Sequence, residues 1–260
     1  PEFITNEESQ INNKKDDEKK DEIFENINYI ENFMSKVLTG ETGLDNDLKS
    51  IKNLLQENEK MIYLEQIIDN LKNCRKHGNY ILNDATYNYL LNIFNFVLEN
   101  FGDNDKILKN IVTFSQTFYK IKEGKTTPKC FILHDINNNQ IFNKAETWHK
   151  IINNSLGSLI GNKDLTENIE KNEKEKKINE NAFKIIVETL SIMKLFNVND
   201  DIYNEVKNYY INVYKINEEN LNKEIKRFYE ENEFSIIKEN ENQLIKGENT
   251  KILINNKNGN

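Results

Sequence analysis

Apolar residues recur along this chain every three or four positions, the spacing that gathers them on one face of an α-helix. From about Asp21, a first stripe takes in Ile23, Ile27, Ile30, Met34 and Val37, and Gly40 supplies its stop. A second holds Leu48, Ile51, Leu54 and Leu55, with Asp45 or Asp47 as its N-cap. A third holds Met61, Leu64, Ile68, Leu71 and Cys74. Its last turn sets Arg75, Lys76 and His77 against the negative end of the helix dipole, before Gly78. Asn83 or Asp84 opens the fourth and most apolar helix. There Tyr87, Leu90, Leu91, Phe94, Val97, Leu98 and Phe101 cover an arc wide enough to pack on more than one side. A fifth helix is predicted from about Asp105 through Ile107, Leu108, Ile111 and Phe114 to Phe118.

The period then changes. A polar turn at Gly124 to Pro128 leads into an extended run from Cys130 to Ile136, and a sixth helix is centred on Trp148. Residues 161–180 carry only Leu165, Ile169 and Ile178 as apolar side chains, so they are expected to form a flexible insertion. Three more helices are predicted over Phe183 to Phe196, Ile202 to Tyr214 and Leu221 to Tyr229. Asn199-Asp200 and Asn217-Glu218-Glu219 suit the starts of the last two. The expectation is an all-α fold, an irregular multi-helix bundle or α-solenoid-like array of eight to nine helices. One short extended segment interrupts it near 130–136. A single helical domain over 21–235 would carry the flexible insertion, between a disordered head at 1–20 and a frayed polar tail at 236–260.

Composition narrows the function classes. Hydrophobic content is 37% over 260 residues and mean hydropathy is −0.77, low for a globular chain, but 14 Phe and 11 Tyr offset part of the deficit. Two prolines and nine glycines are too few for an all-β fold. A net charge of −8 opposes sequence-independent nucleic-acid binding, which needs a basic field. No apolar run is long enough to span a bilayer and no secretory leader is legible, so no integral membrane segment is expected. Cys74 and Cys130, far apart in sequence, suit reduced thiols and a cytoplasmic location. The triplet Asn153-Asn154-Ser155 is a chance match in so Asn-rich a chain. Pro1-Glu2-Phe3, without an initiator methionine, reads as the start of a fragment with a cloning scar.

Four candidate chemistries lie between residues 107 and 156. Gly124-Lys125-Thr126 resembles the end of a phosphate loop, but Tyr119 stands where the earlier glycine belongs and a helix rather than a strand precedes it. Asp135, Asn137, Asn139 and Glu146 fall at positions 1, 3, 5 and 12 of a calcium loop. Gln140 replaces the turn glycine there, and no regular helix leads in. Cys130, His134 and His149 are too few and too widely spaced for a structural zinc site. Trp148 with Phe114, Phe118, Phe131 and Phe142 reads either as a peptide groove or, preferably, as a core anchor joining the extended run to the fifth helix. Tyr203, Tyr209, Tyr210 and Tyr214 read as helix-packing residues with a wet hydroxyl. None of these implies a cofactor or a catalytic residue.

The helix LLNIFNFVLEN (Leu90 to Asn100) is followed by the phrase Ser115, Gln116, Thr117, Phe118, Tyr119, and then by Phe131 to Asp135 and Ile141-Phe142 ahead of Trp148. Over about residues 84–156 this resembles the helical domain of the SET-binding-factor type, found in myotubularin-related pseudophosphatases and similar cytosolic proteins. Phe142 stands where the family usually has tryptophan, and Thr147 where it has phenylalanine. The resemblance implies a non-catalytic module of membrane-traffic proteins, often beside domains acting on Rab-type GTPases or phosphoinositides. It transfers no catalytic residue.

The functional expectation is therefore a non-catalytic cytosolic adaptor or scaffold module that binds protein partners. One alternative is a regulator of a small GTPase, for which Arg75 and Arg227 are the available arginines. Another is a calcium-binding module through residues 135–146.

Overall fold

The computed structural model describes residues 6–76, 78–121, 129–160 and 171–231. His77, the Gly124-Lys125-Thr126 turn, the first half of the 161–180 insertion and the 236–260 tail lie outside the described residues. The described chain is mostly helical, as the hydrophobic spacing requires, with three short strands. It divides into two compact units, residues 1–100 with 113–120 and residues 101–112 with 121–260.

The first unit holds α1 (Asn6–Thr39), α2 (Asp45–Leu54), α3 (Lys60–Arg75), β1 (Tyr80–Ile81) and most of α4 (Asp84–Phe101). α1 begins inside the expected disordered head, because residues 6–20 are rich in Glu, Gln and Lys, which favour helix even with nothing to bury. Its stripe of Ile30, Phe33, Met34 and Val37 is buried, and α1 packs on α2 and α3. Polar links fix these neighbours: Tyr29 donates to the Asp47 carboxylate (2.6 Å) and Asn26 to the Tyr63 hydroxyl (3.1 Å). α1 stops as expected at Gly40, whose φ of +89° puts it in the left-handed region. The Gly40 and Glu41 amides return to the carbonyls of Val37 and Lys36.

Asp45 and Asp47 sit in the first turn of α2 and neither caps it. The cap position is Leu44, whose amide donates instead to the Tyr89 hydroxyl (3.0 Å). Asn83 does cap α4, accepting from the Thr86 amide (2.9 Å).

The helix predicted from Asp105 to Phe118 is shorter. α5 runs Asp105–Ser115, the Thr117 amide closes a turn onto the Phe114 carbonyl (2.8 Å), and Phe118–Ile121 is strand β2. Phe118 lies four residues after Phe114 and so fits the helical stripe. The β-favouring run from Thr117 to Ile121 overrides that spacing. β1 and β2 pair in parallel, Tyr80 opposite Phe118 and Ile81 opposite Tyr119.

In the second unit only Lys129–Phe131 of the predicted extended run is strand (β3). Leu133–Ile136 winds into a single turn, α6. Phe131, Ile132, Leu133 and Ile136 are all buried, and so short a mainly apolar run does not distinguish strand from buried helix. A 3-10 turn (Gln140–Asn143) precedes α7 (Ala145–Ile160). Then come α8 (Lys171–Leu195), α9 (Asp200–Tyr214) and α10 (Glu218–Glu231). α8 starts within the expected insertion, again on a Glu- and Lys-rich stretch. Asn199 caps α9 as predicted, accepting from the Asp201 amide (2.7 Å), and Asn217 accepts from the Asn220 amide (2.8 Å) at the start of α10. α7 packs on α8 and α9, and α8 on α9 and α10. Among the described residues no helix is long and apolar enough to cross a membrane.

Candidate interaction surface

Trp148, Ile152 and Leu156 recur at four-residue spacing and give α7 a buried face. The fully buried Trp148 donates its indole N–H to the Phe142 carbonyl (2.9 Å). Its ring centroid lies 5.7 Å from Phe142 and 5.5 Å from Phe196, edge-on to the latter; Phe142 and Phe196 are 4.7 Å apart. The Thr147 hydroxyl donates to the Ile141 carbonyl (2.6 Å), a bond that phenylalanine at this position could not make. These contacts tie the 3-10 turn to α7 and to Phe196, the residue that follows α8. Trp148 is thus a core residue whose aromatic partners are Phe142 and Phe196; Phe196 was not among those the sequence suggested.

With α7 oriented in this way, His149 and Asn153, one turn apart, meet α9. The buried Tyr210 hydroxyl donates to Asn153 Oδ1 (2.9 Å), and His149 Nδ1 lies 3.3 Å from the Tyr210 hydroxyl oxygen. The direction of the His149–Tyr210 hydrogen bond follows the imidazole tautomer. Desolvation holds the His149 pKa below its ordinary value, and the charge of Glu205 pulls weakly the other way. Burial raises the Tyr210 pKa, helped by Tyr209 and Tyr214.

The His149 ring meets Tyr209 edge-on at 4.8 Å, Tyr209 meets Tyr210 edge-on at 5.0 Å, and Tyr210 stacks toward Tyr214 at 6.4 Å. On the outer side of α9, Tyr209 is 51% exposed and Val213, one turn on, is 54% exposed. This aromatic face, fixed from beneath by hydrogen bonds, is the candidate site. Sequence reasoning did not single it out. The available signal was that Tyr209 and Val213 are a four-residue pair displaced from the stripe Tyr203, Val206 and Tyr210.

The expectation of wet tyrosine hydroxyls holds neither for Tyr210 nor for Tyr203. Tyr203 is 7% exposed, its hydroxyl is buried without a hydrogen-bond partner, and burial pushes its pKa up to about 12. The reason is register: positions 203, 206 and 210 are the side of α9 that faces its neighbours.

The remaining sequence candidates are dispersed. Ser115 ends α5, Gln116 and Thr117 make the turn, and Phe118 and Tyr119 enter β2; Ser115, Thr117, Phe118 and Tyr119 are buried. In the calcium template, Asp135 lies in α6 and Asn137 follows it. Asn139 spends its side chain accepting from the Ile141 amide (3.1 Å), and Glu146 pairs with Lys150 (3.2 Å). Much of the stretch is wound into helical turns, α6 and the 3-10 turn Gln140–Asn143. No group of three or more His, Cys, Asp or Glu residues suited to a metal occurs among the described residues. Cys74 and Cys130 are not joined in a disulfide, and burial raises the Cys74 pKa. Arg75 is exposed at the end of α3, and Arg227 is exposed beside Glu224 (3.8 Å) on α10. No family model, curated protein or solved structure matches the chain.

Proposed function

We propose that this chain is a non-catalytic helical interaction module of the cytoplasm, an adaptor or scaffold segment of a larger protein in membrane traffic or a GTPase pathway. The observation that carries the reading is the face built from Tyr209, Val213 and His149. Tyrosine is favoured at protein interfaces because a rigid ring buries a large area while its edge and hydroxyl still accept polar contacts. Here the ring is already ordered by His149 and Tyr210, so a partner that covers it incurs little further entropy loss. The pathway assignment rests on the resemblance over residues 84–156.

The test compares wild type with the double variant Tyr209→Asp, Val213→Asp as bait at moderate salt, followed by titration of each recovered protein in purified form. A true partner is retained by wild type and binds the variant with a loss of at least about 2 kcal/mol, the scale of an interface hot spot. If no partner survives moderate salt, or the variant binds as well as wild type, the reading fails. It also fails if the chain stimulates GTP hydrolysis and Arg75→Ala or Arg227→Ala abolishes that stimulation.

A further inference from the structure

A second feature lies in the same unit, on α8, α9 and α10. Lys194, Asn197, Val198, Asp200, Asn222, Ile225 and Lys226 line an open groove of about 590 Å3, within the roughly 300–1,000 Å3 typical of ligand clefts. Its shape follows from how α8 ends. Asn197 takes a left-handed conformation (φ 55°), and the amides of Asn197 and Val198 return to the carbonyls of Lys194 and Met193. The last carbonyls of α8 are thereby satisfied, the chain turns sharply into α9, and space is left beside α10.

The chemistry of the lining is mixed in a specific way. Ile225 is buried and Val198 half-buried, giving an apolar floor. Asn197 and Asn222 bring carboxamides, which can both donate to and accept from a peptide backbone. Lys194 is exposed, with its ammonium 5.1 Å from the centre of the Tyr203 ring, an attraction that restrains an otherwise flexible side chain. Lys226 is also exposed, and its ion pair with Glu230 at 3.7 Å joins two well-hydrated groups and is worth little. Asp200 is the one carboxylate in the lining, and it sits in the first turn of α9, where the helix dipole offsets its charge. A chain of net charge −8 thus carries a groove lined by two cations against one anion.

We infer that this groove docks a short acidic peptide segment of a partner, an apolar side chain resting on Ile225 and Val198 and flanking carboxylates reaching Lys194 and Lys226. The peptide class follows from the combination of floor, carboxamides and paired cations. A bare anion would leave the apolar floor unused, and a basic segment would meet both lysines. The site is separate from the Tyr209–Val213 face, and its test is independent of that reading.

The probe is a fluorescein-labelled heptapeptide with a leucine flanked on each side by three glutamates, titrated by anisotropy against the full chain. A matched peptide with lysines in place of glutamates serves as control. The acidic peptide should bind, its lysine counterpart should not, and raising the salt should weaken the complex. Lys194→Glu with Lys226→Glu should weaken binding at least about tenfold, an effect of roughly 1.4 kcal/mol. Lys194→Gln with Lys226→Gln, gentler to the fold, should weaken it in the same direction by less. Lys49→Glu with Lys60→Glu, in the other unit, changes net charge equally and should leave binding nearly intact. Absence of binding to the acidic peptide would overturn the inference. So would equal loss in the Lys49/Lys60 control, or unchanged affinity in both Lys194/Lys226 variants.

Discussion

His149 joins the buried network on α7 and α9 to the exposed aromatic face, and its titration reports on both. Desolvation lowers its pKa in the folded chain from the ordinary 6.5. The folded state therefore resists a proton that the unfolded state accepts. Above pH 6.5 the imidazole is neutral in both states and its contribution to stability is fully present. As the pH falls below 6.5 the unfolded chain takes up the proton first, and stability declines until the folded-state pKa is passed. Below that point no further loss comes from this residue. Urea midpoints measured between about pH 5 and pH 8 should therefore drop toward the acid side more steeply for wild type than for His149→Gln. Identical pH profiles would show that His149 is not desolvated as described. The sequence placed His149 next to Trp148 but gave no sign of this coupling, because its partner Tyr210, which also bonds Asn153, meets it only once α7 and α9 are packed together.

Helix ends offer a sharper comparison between residue type and backbone. Gly40 and Lys215 both adopt the left-handed conformation, φ +89° after α1 and +51° after α9. Only Gly40 was legible as a stop, because glycine announces a position where a side chain is unwelcome, whereas lysine does not. Lys215 consequently carries a strain of about 1 kcal/mol. Lys215→Gly is expected to raise stability by up to about 0.5 kcal/mol, the strain relieved less the extra freedom of glycine in the unfolded chain. Gly40→Ala is expected to lower it by about 1–2 kcal/mol, since a Cβ there would also come within 3.2 Å of Asn83 Nδ2. Urea titrations of both variants decide the matter, and a destabilised Lys215→Gly would refute the account. The same logic explains what else was readable. The one-sided apolar stripes mark the helices, but α1 and α8 start well ahead of theirs, at Asn6 rather than Asp21 and at Lys171 rather than Phe183. Of the cap candidates Asn83 or Asp84, Asn83 makes the bond, and the Asn199-Asp200 and Asn217-Glu218-Glu219 sequences do stand at helix starts. In the misread stretches the apolar side chains Phe118, Ile132, Leu133 and Ile136 are all buried, and each stretch is too short for its spacing to decide.

At the scale of the whole chain, neither compact unit is a continuous piece of sequence. The first is completed by residues 113–120 and the second includes residues 101–112. A cut at residue 100, where the most apolar helix ends, looks natural from the hydrophobic pattern, yet it removes buried Phe114, Phe118 and Tyr119 from the first unit. It also removes β2 and the turn before it, where the Thr117 and Tyr119 carbonyls accept from the amides of Tyr80 and Leu82 (2.8 Å each). Burial of each large apolar side chain contributes about 1.5–3 kcal/mol, and the net stability of a domain is only about 5–15 kcal/mol. Losing three such side chains and two backbone hydrogen bonds is therefore enough to unfold the unit. A fragment of residues 1–100 should keep helical far-UV dichroism but lack a cooperative urea transition and bind a hydrophobic dye, the behaviour of a collapsed but unpacked chain. A fragment of residues 1–120 should regain the cooperative transition, because it restores Phe114, Phe118, Tyr119 and the partner of β1. Cooperative unfolding of residues 1–100 at the same urea midpoint as residues 1–120 would show that the SQTFY segment contributes nothing to this core.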